Sequence, residues 1–164
     1  MLAVVKSTAL HGLEGQLVSV EVDVANGLPC FDLVGLPDAA VREARDRVRA
    51  AIRNSGFDFP LRRVTVNLAP ADLHKASPGL DLPVAAAVLA ASGQMGRRDL
   101  EGWFLVGELG LDGQVRPVAG ILPMAILAAR QGKGLVAPAA CAAGAAVVGG
   151  LEDKIGRASC RERV

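Results

Sequence analysis

The sequence predicts an α+β domain of two layers, in which a sheet of antiparallel and mixed strands packs against about three helices. Residues 18–24 alternate apolar and polar side chains with period two, which is the pattern of a strand with one buried face. Residues 38–56 have helical spacing of apolar positions, and residues 81–91 are apolar on nearly every side. Because strands and helices do not alternate strictly, we expect α+β packing in a single domain over residues 1–151.

The first predicted elements are two strands joined by a tight turn. Asn26 and Gly27 favour the left-handed backbone positions of a two-residue hairpin. Cys30–Val34 is therefore expected to return antiparallel to residues 18–24, and Pro37 to end this strand.

An amphipathic helix is predicted next. Asp38 is expected to cap its start by accepting a hydrogen bond from a free backbone N–H, and Gly56 suits the left-handed position after its end. Its apolar side comprises Val41, Ala44, Val48, Ala51 and Ile52. A strand over residues 64–68 follows.

The second half is predicted to contain two further helices. Asp81 is expected to cap a buried helix that runs to Ala91, and residues 120–130 form a third helix closed by Gly132. Between them, residues 104–109 and 114–118 flank Asp112-Gly113, a strong hairpin signal. The uncharged residues 135–151 are too short and too rich in Ala and Gly for a membrane span, so strand, turn and short helix is expected.

Composition excludes several classes of function. Half of the residues are hydrophobic, but only 3% are aromatic and none is Tyr, which argues against base stacking on single-stranded nucleic acid. Cys30 and Cys141 lack zinc-ligand spacing and are expected to be reduced in a cytoplasmic protein, and neither His11 nor His74 has a partner at a convincing spacing. No metal site is predicted, and the first residues are too short for a signal peptide.

The end of the chain, residues 152–164, is expected to be foreign to the domain. From Lys154 onward the amino-acid sequence resembles translated vector or adapter sequence. Truncation after Asp153 is therefore expected to leave folding intact. The whole chain has 18 basic and 17 acidic residues; without the four basic residues and one acid after Asp153, 14 and 16 remain, a formal charge of −2. A globally basic balance, as in many nucleic-acid-binding proteins, is therefore absent.

Three strings in this order identify a family. They are Leu33-Val34-Gly35-Leu36-Pro37-Asp38-Ala39-Ala40-Val41-Arg42-Glu43, Asn67-Leu68-Ala69-Pro70-Ala71-Asp72-Leu73 and Leu80-Asp81-Leu82-Pro83. Over residues 1–151 the chain resembles the front end of the ComM/YifB-like AAA+ ATPases, which are described as magnesium-chelatase-like and related to ChlI. The resemblance implies an accessory N-terminal domain of a cytoplasmic ring ATPase, with ATP and Mg²⁺ bound by a module that this sequence lacks. It also implies a role in DNA branch migration during natural transformation.

The second half, from Gly107-Glu108-Leu109 to Gly120-Ile121, resembles the Lon proteolytic domain. This implies the fold shared by a ribosomal-protein domain and the GHMP kinases. Lon-type peptidases need a Ser nucleophile and a Lys base, but the matching positions are Leu80 and Leu122, so no catalytic residue is predicted. An alternative function is therefore a catalytically dead Lon-type domain that binds protein or assists ring assembly.

No nucleotide-binding residue is predicted either. Residues 76–79 lie ahead of a helix, but the carboxylate of Asp81 would repel a phosphate there. Lys133 is followed by Gly134 where a P-loop requires Ser or Thr. The chain is therefore expected to be inactive as an enzyme and to bind no cofactor itself.

Arginine is concentrated between residues 38 and 63, where seven arginines stand against four acids. Four of them lie three or four residues apart and form a stripe along one side of the helix that could track phosphates: Arg42, Arg45, Arg49 and Arg53. Glu43 and Asp46 are expected to neutralise this stripe in part. The candidate surface for nucleic acid or for docking of the ATPase module consists of Arg42, Arg45, Arg49, Arg53, Arg62 and Arg63.

Overall fold

A mixed sheet of seven strands organises the protein in the computed structural model, which describes residues 1–34, 39–70, 78–150 and 153–156. The strands of this sheet are β1 (Leu2–His11), β2 (Glu14–Ala25), β3 (Cys30–Val34), β4 (Arg63–Ala69), β5 (Trp103–Leu105), β8 (Gly134–Pro138) and β9 (Asp153–Gly156). Their order across the sheet is β3-β4-β2-β1-β5-β8-β9. A separate hairpin pairs β6 (Glu108–Leu109) with β7 (Val115–Arg116). The predicted α+β class is confirmed.

The described helices are α1 (Ala39–Asn54), α2 (Asp81–Ala91), α3 (Ile121–Arg130) and the short α4 (Ala142–Ala145). The predicted bounds of α2 are confirmed, and those of α3 differ only in that Gly120 is its N-cap. Gly56 has a φ of +84° and follows α1, where the Phe57 N–H donates to the Ile52 carbonyl as a Schellman motif requires. The expected cap at Asp38 lies outside the described residues. No helix in the described part of the chain has the length and hydropathy needed to cross a membrane.

The predicted antiparallel pairing of β2 with β3 is wrong. Strand β4 lies between them, antiparallel to β2 and parallel to β3. A two-residue hairpin of the expected type needs a positive φ at both central residues, whereas only glycines among the described residues have a positive φ, and that of Gly27 is +152°. The chain therefore leaves β2 in a wider loop, and β4, whose Val64, Val66 and Leu68 are fully buried, takes the central position.

The antiparallel pair that opens the domain is instead β1 with β2, in register from Leu2↔Asp23 to His11↔Glu14. Strand β1 was not predicted, because apolar residues occur on both of its sides and the alternation of apolar and polar side chains is therefore not apparent in the sequence. In the structure the odd-numbered residues from Ala3 to Ala9 are buried against one face of the sheet.

Two apolar cores occupy opposite faces of the sheet. Consecutive residues of β5 show this, since Leu105 belongs to the core under α1 and α2 whereas Phe104 belongs to the core under α3 and α4. Helix α3 contacts β1, β2 and β8 and comes so close to β2 that a Cβ on Gly15 would lie 2.7 Å from the Pro123 carbonyl oxygen. On this second face, part of the sheet formed by β3, β4, β2 and the first half of β1 remains exposed.

The predicted Asp112-Gly113 hairpin is confirmed, but its strands are short. Gly113 has a φ of +84°, and the Gly110 N–H donates to the Gln114 carbonyl at 2.8 Å. The strand predicted over residues 104–109 is divided, since β5 joins the main sheet and β6 belongs to the hairpin. Residues 135–145 form the expected strand, turn and short helix. Of the expected foreign tail, β9 pairs in parallel with β8, whereas residues 157–164 lie outside the described residues.

Candidate functional site

A buried ion pair joins α1 to α2. The Arg47 side chain donates from Nε to Asp81 Oδ2 at 2.7 Å and from Nη2 to Asp81 Oδ1 at 3.2 Å. The Asp81 side chain has no exposed surface, whereas that of Arg47 retains 21%. A two-point contact of this kind fixes the orientation of both side chains as well as their distance.

The role predicted for Asp81 is wrong. The N-cap residue of α2 is Leu80, and no side-chain cap bond is present. Asp81 accepts instead from Arg47 and from the backbone N–H of Leu109 in β6, at 3.1 Å. Since a fully buried carboxylate needs a cation and hydrogen-bond donors, this pairing prevails over the capping geometry that local sequence favours.

Burial raises the pKa of the Asp81 carboxyl above its ordinary value, and the hydrogen bonds from Arg47 and Leu109 lower that pKa only in part. The pKa of the Arg47 guanidinium is raised, chiefly by its hydrogen bond to Asp81. Arg47 also reaches Glu43 at 3.8 Å, at the solvent side of the pair. Arg47 thus connects a buried acid with an exposed one.

Further bonds hold the β6–β7 hairpin against the two helices. The Gly107 N–H donates to the Gly79 carbonyl at 2.9 Å, and the Leu82 N–H donates to the Gly107 carbonyl at 3.0 Å. At the hairpin tip, Asn54 Nδ2 donates to the Leu111 carbonyl at 2.6 Å. Together with the Arg47–Asp81 pair, these bonds fix α1 at both its middle and its end.

The predicted arginine surface is only partly one surface. Arg45, Arg49 and Arg53 are exposed on α1 at intervals of four residues, and we call these three the arginine stripe. At 100° per residue they span about 80° around the helix. The Arg42 side chain lies outside the described residues, whereas Arg62 and Arg63 are exposed at the start of β4 and not on the helix.

The two acids expected to neutralise the stripe behave differently. Asp46 reaches Arg45 at 3.6 Å, in a pair that is exposed on both sides. Glu43 lies about 160° around the helix from Arg45 and reaches Arg47 instead. Arg49 rests over the ring of Phe59, with its Cζ 5.4 Å from the ring centroid, which restrains this guanidinium. The stripe is therefore less neutralised than the sequence suggests, and Arg49 within it is restrained.

The positions that correspond to the Lon-type Ser and Lys do not form a site. Leu80 is buried in the core, and Leu122 on α3 is 42% exposed. Lys6 donates to Ser19 at 2.6 Å, but this is a cross-strand pair on the exposed side of β1 and β2. Residues 71–77, including His74, lie outside the described residues. Among the side chains that the structure describes, no three of the His, Cys, Asp or Glu type cluster closely enough to hold a metal ion.

Comparison with known proteins agrees with the family that the sequence motifs identify. Residues 20–141 match the family described as subunit ChlI of Mg-chelatase. The chain is 48% identical over 135 residues to the uncharacterized protein YifB of Salmonella typhimurium, which covers 82% of the chain and 27% of that protein. It is 51% identical over 132 residues to competence protein ComM of Haemophilus influenzae, covering 80% of the chain and 26% of ComM. An uncharacterized protein of Mycobacterium tuberculosis is 47% identical over 147 residues, or 89% of the chain and 29% of the relative.

The chain therefore spans between a quarter and three tenths of the length of these relatives.

Proposed function

This chain belongs to the family of the Mg-chelatase subunit ChlI, and on that premise we propose that it is an accessory N-terminal domain of a longer bacterial AAA+ ATPase. In this proposal the ATPase module, with its ATP and Mg²⁺, lies in the part of the protein that the chain does not span. In the same proposal, the longer protein is a cytoplasmic ring that processes DNA by driving branch migration during natural transformation. The domain contributes docking and assembly, not chemistry.

One observation carries the docking role: the arginine stripe is exposed on a helix that is held rigidly from behind. The Arg47–Asp81 pair and the hairpin contacts fix α1, so that the backbone positions from which the three arginines project are fixed, and Arg49 is also held over Phe59. A pre-ordered surface loses less conformational entropy when it binds a partner. Asp46 within the surface and the formal charge of −2 over residues 1–153 favour a protein partner over a nucleic acid.

DNA is the second candidate partner of the same stripe. The observation in its favour is that Glu43 bridges to Arg47 and so leaves the stripe with Asp46 as its neighbouring acid on α1. Regularly spaced arginines on a helix can contact successive phosphates. The alternative function, a catalytically dead Lon-type domain that binds protein, also predicts docking. It adds only that the domain is related to Lon-type peptidases.

The experiment changes the stripe and measures both activities. The variant is Arg45→Gln, Arg49→Gln and Arg53→Gln. The matched control removes the same number of charges at exposed arginines outside the stripe: Arg97→Gln, Arg98→Gln and Arg130→Gln. If the stripe docks protein, its loss impairs assembly of the longer protein, measured by light scattering after size exclusion, and leaves DNA affinity of the isolated chain unchanged. If it binds DNA, affinity falls for all sequences alike, and the slope of log K against log salt decreases by about one for each lost contact. That second result would overturn the docking proposal.

A further inference from the structure

The reverse side of the molecule carries an uncovered sheet face. Among the described elements, α1 and α2 cover one side of β3, β4, β2 and the first half of β1. On the other side, α3 covers the start of β2, the second half of β1, β5 and β8. Four aliphatic side chains on the uncovered side are between 38% and 54% exposed: Leu2, Val4, Leu17 and Val34. Aliphatic side chains grouped on an uncovered sheet face are typical of a contact surface.

Carboxylates stand between these aliphatic side chains. The strand register places Asp23 beside Leu2 and Glu21 beside Val4, and Asp32 is separated from Asp23 by Thr65 of β4. Asn67 donates to Glu21 at 2.9 Å, and the Met1 ammonium lies 3.2 Å from Asp23. We call the side of β1, β2, β3 and β4 that carries these aliphatic side chains and carboxylates the open sheet face.

Charge decides which partner suits this face. Three positive charges lie on or beside the same face: Lys6 on β1, Arg63 at the start of β4, and the Met1 ammonium, which pairs with Asp23. Glu21 and Asp32 have no cationic partner among the described residues, so these two carboxylates carry the negative charge of the face. Asp32 pairs with Thr65 and Glu21 pairs with Asn67, two residues further along β4. Strand spacing of about 4.8 Å and a rise of about 3.4 Å per residue therefore place Asp32 about 12 Å from Glu21. Four-residue steps along a helix are about 6 Å, so the stripe from Arg45 to Arg53 covers about 12 Å. The arginine stripe therefore matches the carboxylates in both sign and spacing.

We propose that the open sheet face of one copy of this chain binds the arginine stripe of a second copy. This inference rests on the proposed docking function and names the partner of the stripe. An exposed aliphatic side chain also occurs close in the chain to the stripe, since Leu61, 72% exposed, lies two residues after Phe59, on which Arg49 rests. The interface thus combines apolar contact with ion pairs. The ion pairs contribute mainly to the specificity of this contact for its partner surface.

The positions of the two surfaces determine the kind of assembly. The stripe lies on the helical side of the sheet and the open sheet face on the reverse side, so a contact between them is heterologous. A heterologous contact repeats from copy to copy and gives a ring when the rotation closes. A single two-fold dimer could not use this contact, because such a dimer places the same patch of both copies at one interface.

The test is a charge exchange in the complete chain, followed by sedimentation velocity. One variant carries Arg45→Glu and Arg53→Glu, which spares Arg49 because it covers Phe59. The other carries Glu21→Lys and Asp32→Lys. The control, Arg97→Glu with Arg98→Glu, makes the same change in net charge as the first variant outside both surfaces. Circular dichroism verifies that each variant is folded.

We expect the wild-type chain to associate at about 0.01 M salt and to separate at about 1 M, where the Debye length falls to about 3 Å. Each exchange variant alone should associate at least about tenfold more weakly, since like charges then face each other. An equimolar mixture of the two should recover association, because both contacts in the mixture again join opposite charges. The control should behave as the wild type.

The proposal is overturned if the folded wild-type chain stays monomeric at about 1 mM in low salt, or if the mixture stays monomeric while both variants are folded. A failure of the proposed docking function can be distinguished from a failure of this inference by measuring assembly of the longer protein with both variants. If Arg45→Glu with Arg53→Glu impairs assembly of the longer protein while Glu21→Lys with Asp32→Lys does not, docking stands and the open sheet face is not the partner. If neither variant affects that assembly and the stripe variant loses DNA affinity, both proposals fall.

Discussion

Replacing Arg47 with Met should destabilise the domain strongly, because it removes the cation from a fully buried carboxylate. Asp81 has no exposed surface and would keep only the Leu109 N–H as a donor among its described partners. Breaking a buried ion pair from one side costs about 3–5 kcal/mol of unfolding free energy. Since Arg47 is 21% exposed, water partly replaces it, and we expect about 3 kcal/mol. In a domain of this size that corresponds to a melting temperature lower by about 6–12 °C.

Two companion variants isolate the cause. Asp81→Asn keeps an acceptor for Arg47, which can still reach Glu43 and water, so the expected loss is only about 1 kcal/mol. Arg47→Met combined with Asp81→Leu replaces the pair by apolar side chains and should regain most of the stability lost in Arg47→Met. Chemical denaturation followed by circular dichroism measures all three.

The pH dependence has a definite sign. The folded-state pKa of Asp81 is already raised by burial, and loss of Arg47 raises this pKa further above the value of about 3.9 in the unfolded chain. Stability gained by protonating Asp81 is present below the unfolded pKa and is lost as pH rises through the folded pKa. The deficit of Arg47→Met should therefore shrink as the pH falls from neutral toward the unfolded-state pKa of Asp81. A deficit below about 1 kcal/mol at neutral pH, or one that grows on acidification, would refute the reasoning.

Three further predictions concern the rest of the chain. Gly15→Ala should cost about 1–3 kcal/mol in denaturation, because its Cβ would lie 2.7 Å from the Pro123 carbonyl oxygen and force α3 away from β2; an unchanged midpoint would show that the two elements separate easily. Ending the chain after Gly156 should keep the melting temperature within about 2 °C, whereas ending it after Glu152 should lower it by more, since β9 pairs with β8; equal melts for both would show that the pairing adds nothing. Calorimetric titration with ATP should give no binding, because the P-loop pattern is absent from the sequence, and micromolar affinity would contradict this.

Sequence periodicity was informative wherever an element is amphipathic or uniformly buried. The bounds of β3 and α2, and the glycine-closed ends of α1 and α3, agree with prediction because they depend on side chains and dihedrals within a few residues. Strand β1 was not predicted from the alternation of apolar and polar residues. Leu2 and Val4 are apolar on its exposed side, so apolar residues occur on both of its faces. In this structure those same side chains form part of the open sheet face.

The candidate surface was predictable in composition but not in shape. Spacing alone indicates that Arg45, Arg49 and Arg53 share a side of α1, and the structure agrees. The same reasoning placed Arg62 and Arg63 in one set with them and missed Arg47 as a buried partner. A signal for Arg47 was available, since it falls on the side of α1 away from the stripe, but no sequence pattern indicates that Asp81, 34 residues later, is the acid it meets.

By itself the sequence determined the family, the α+β class and most local elements, because each follows from residues close together in the chain. The tertiary structure alone decided that β4 separates β2 from β3 and that Asp81 pairs with Arg47 instead of capping α2. It also decided that no described helix covers the open sheet face. These outcomes depend on competition between distant segments for burial and for hydrogen-bond partners. A turn or a cap contributes about 1 kcal/mol, whereas an unpaired buried charge or an unburied apolar strand costs several times as much. Long-range pairing therefore prevailed wherever the two disagreed.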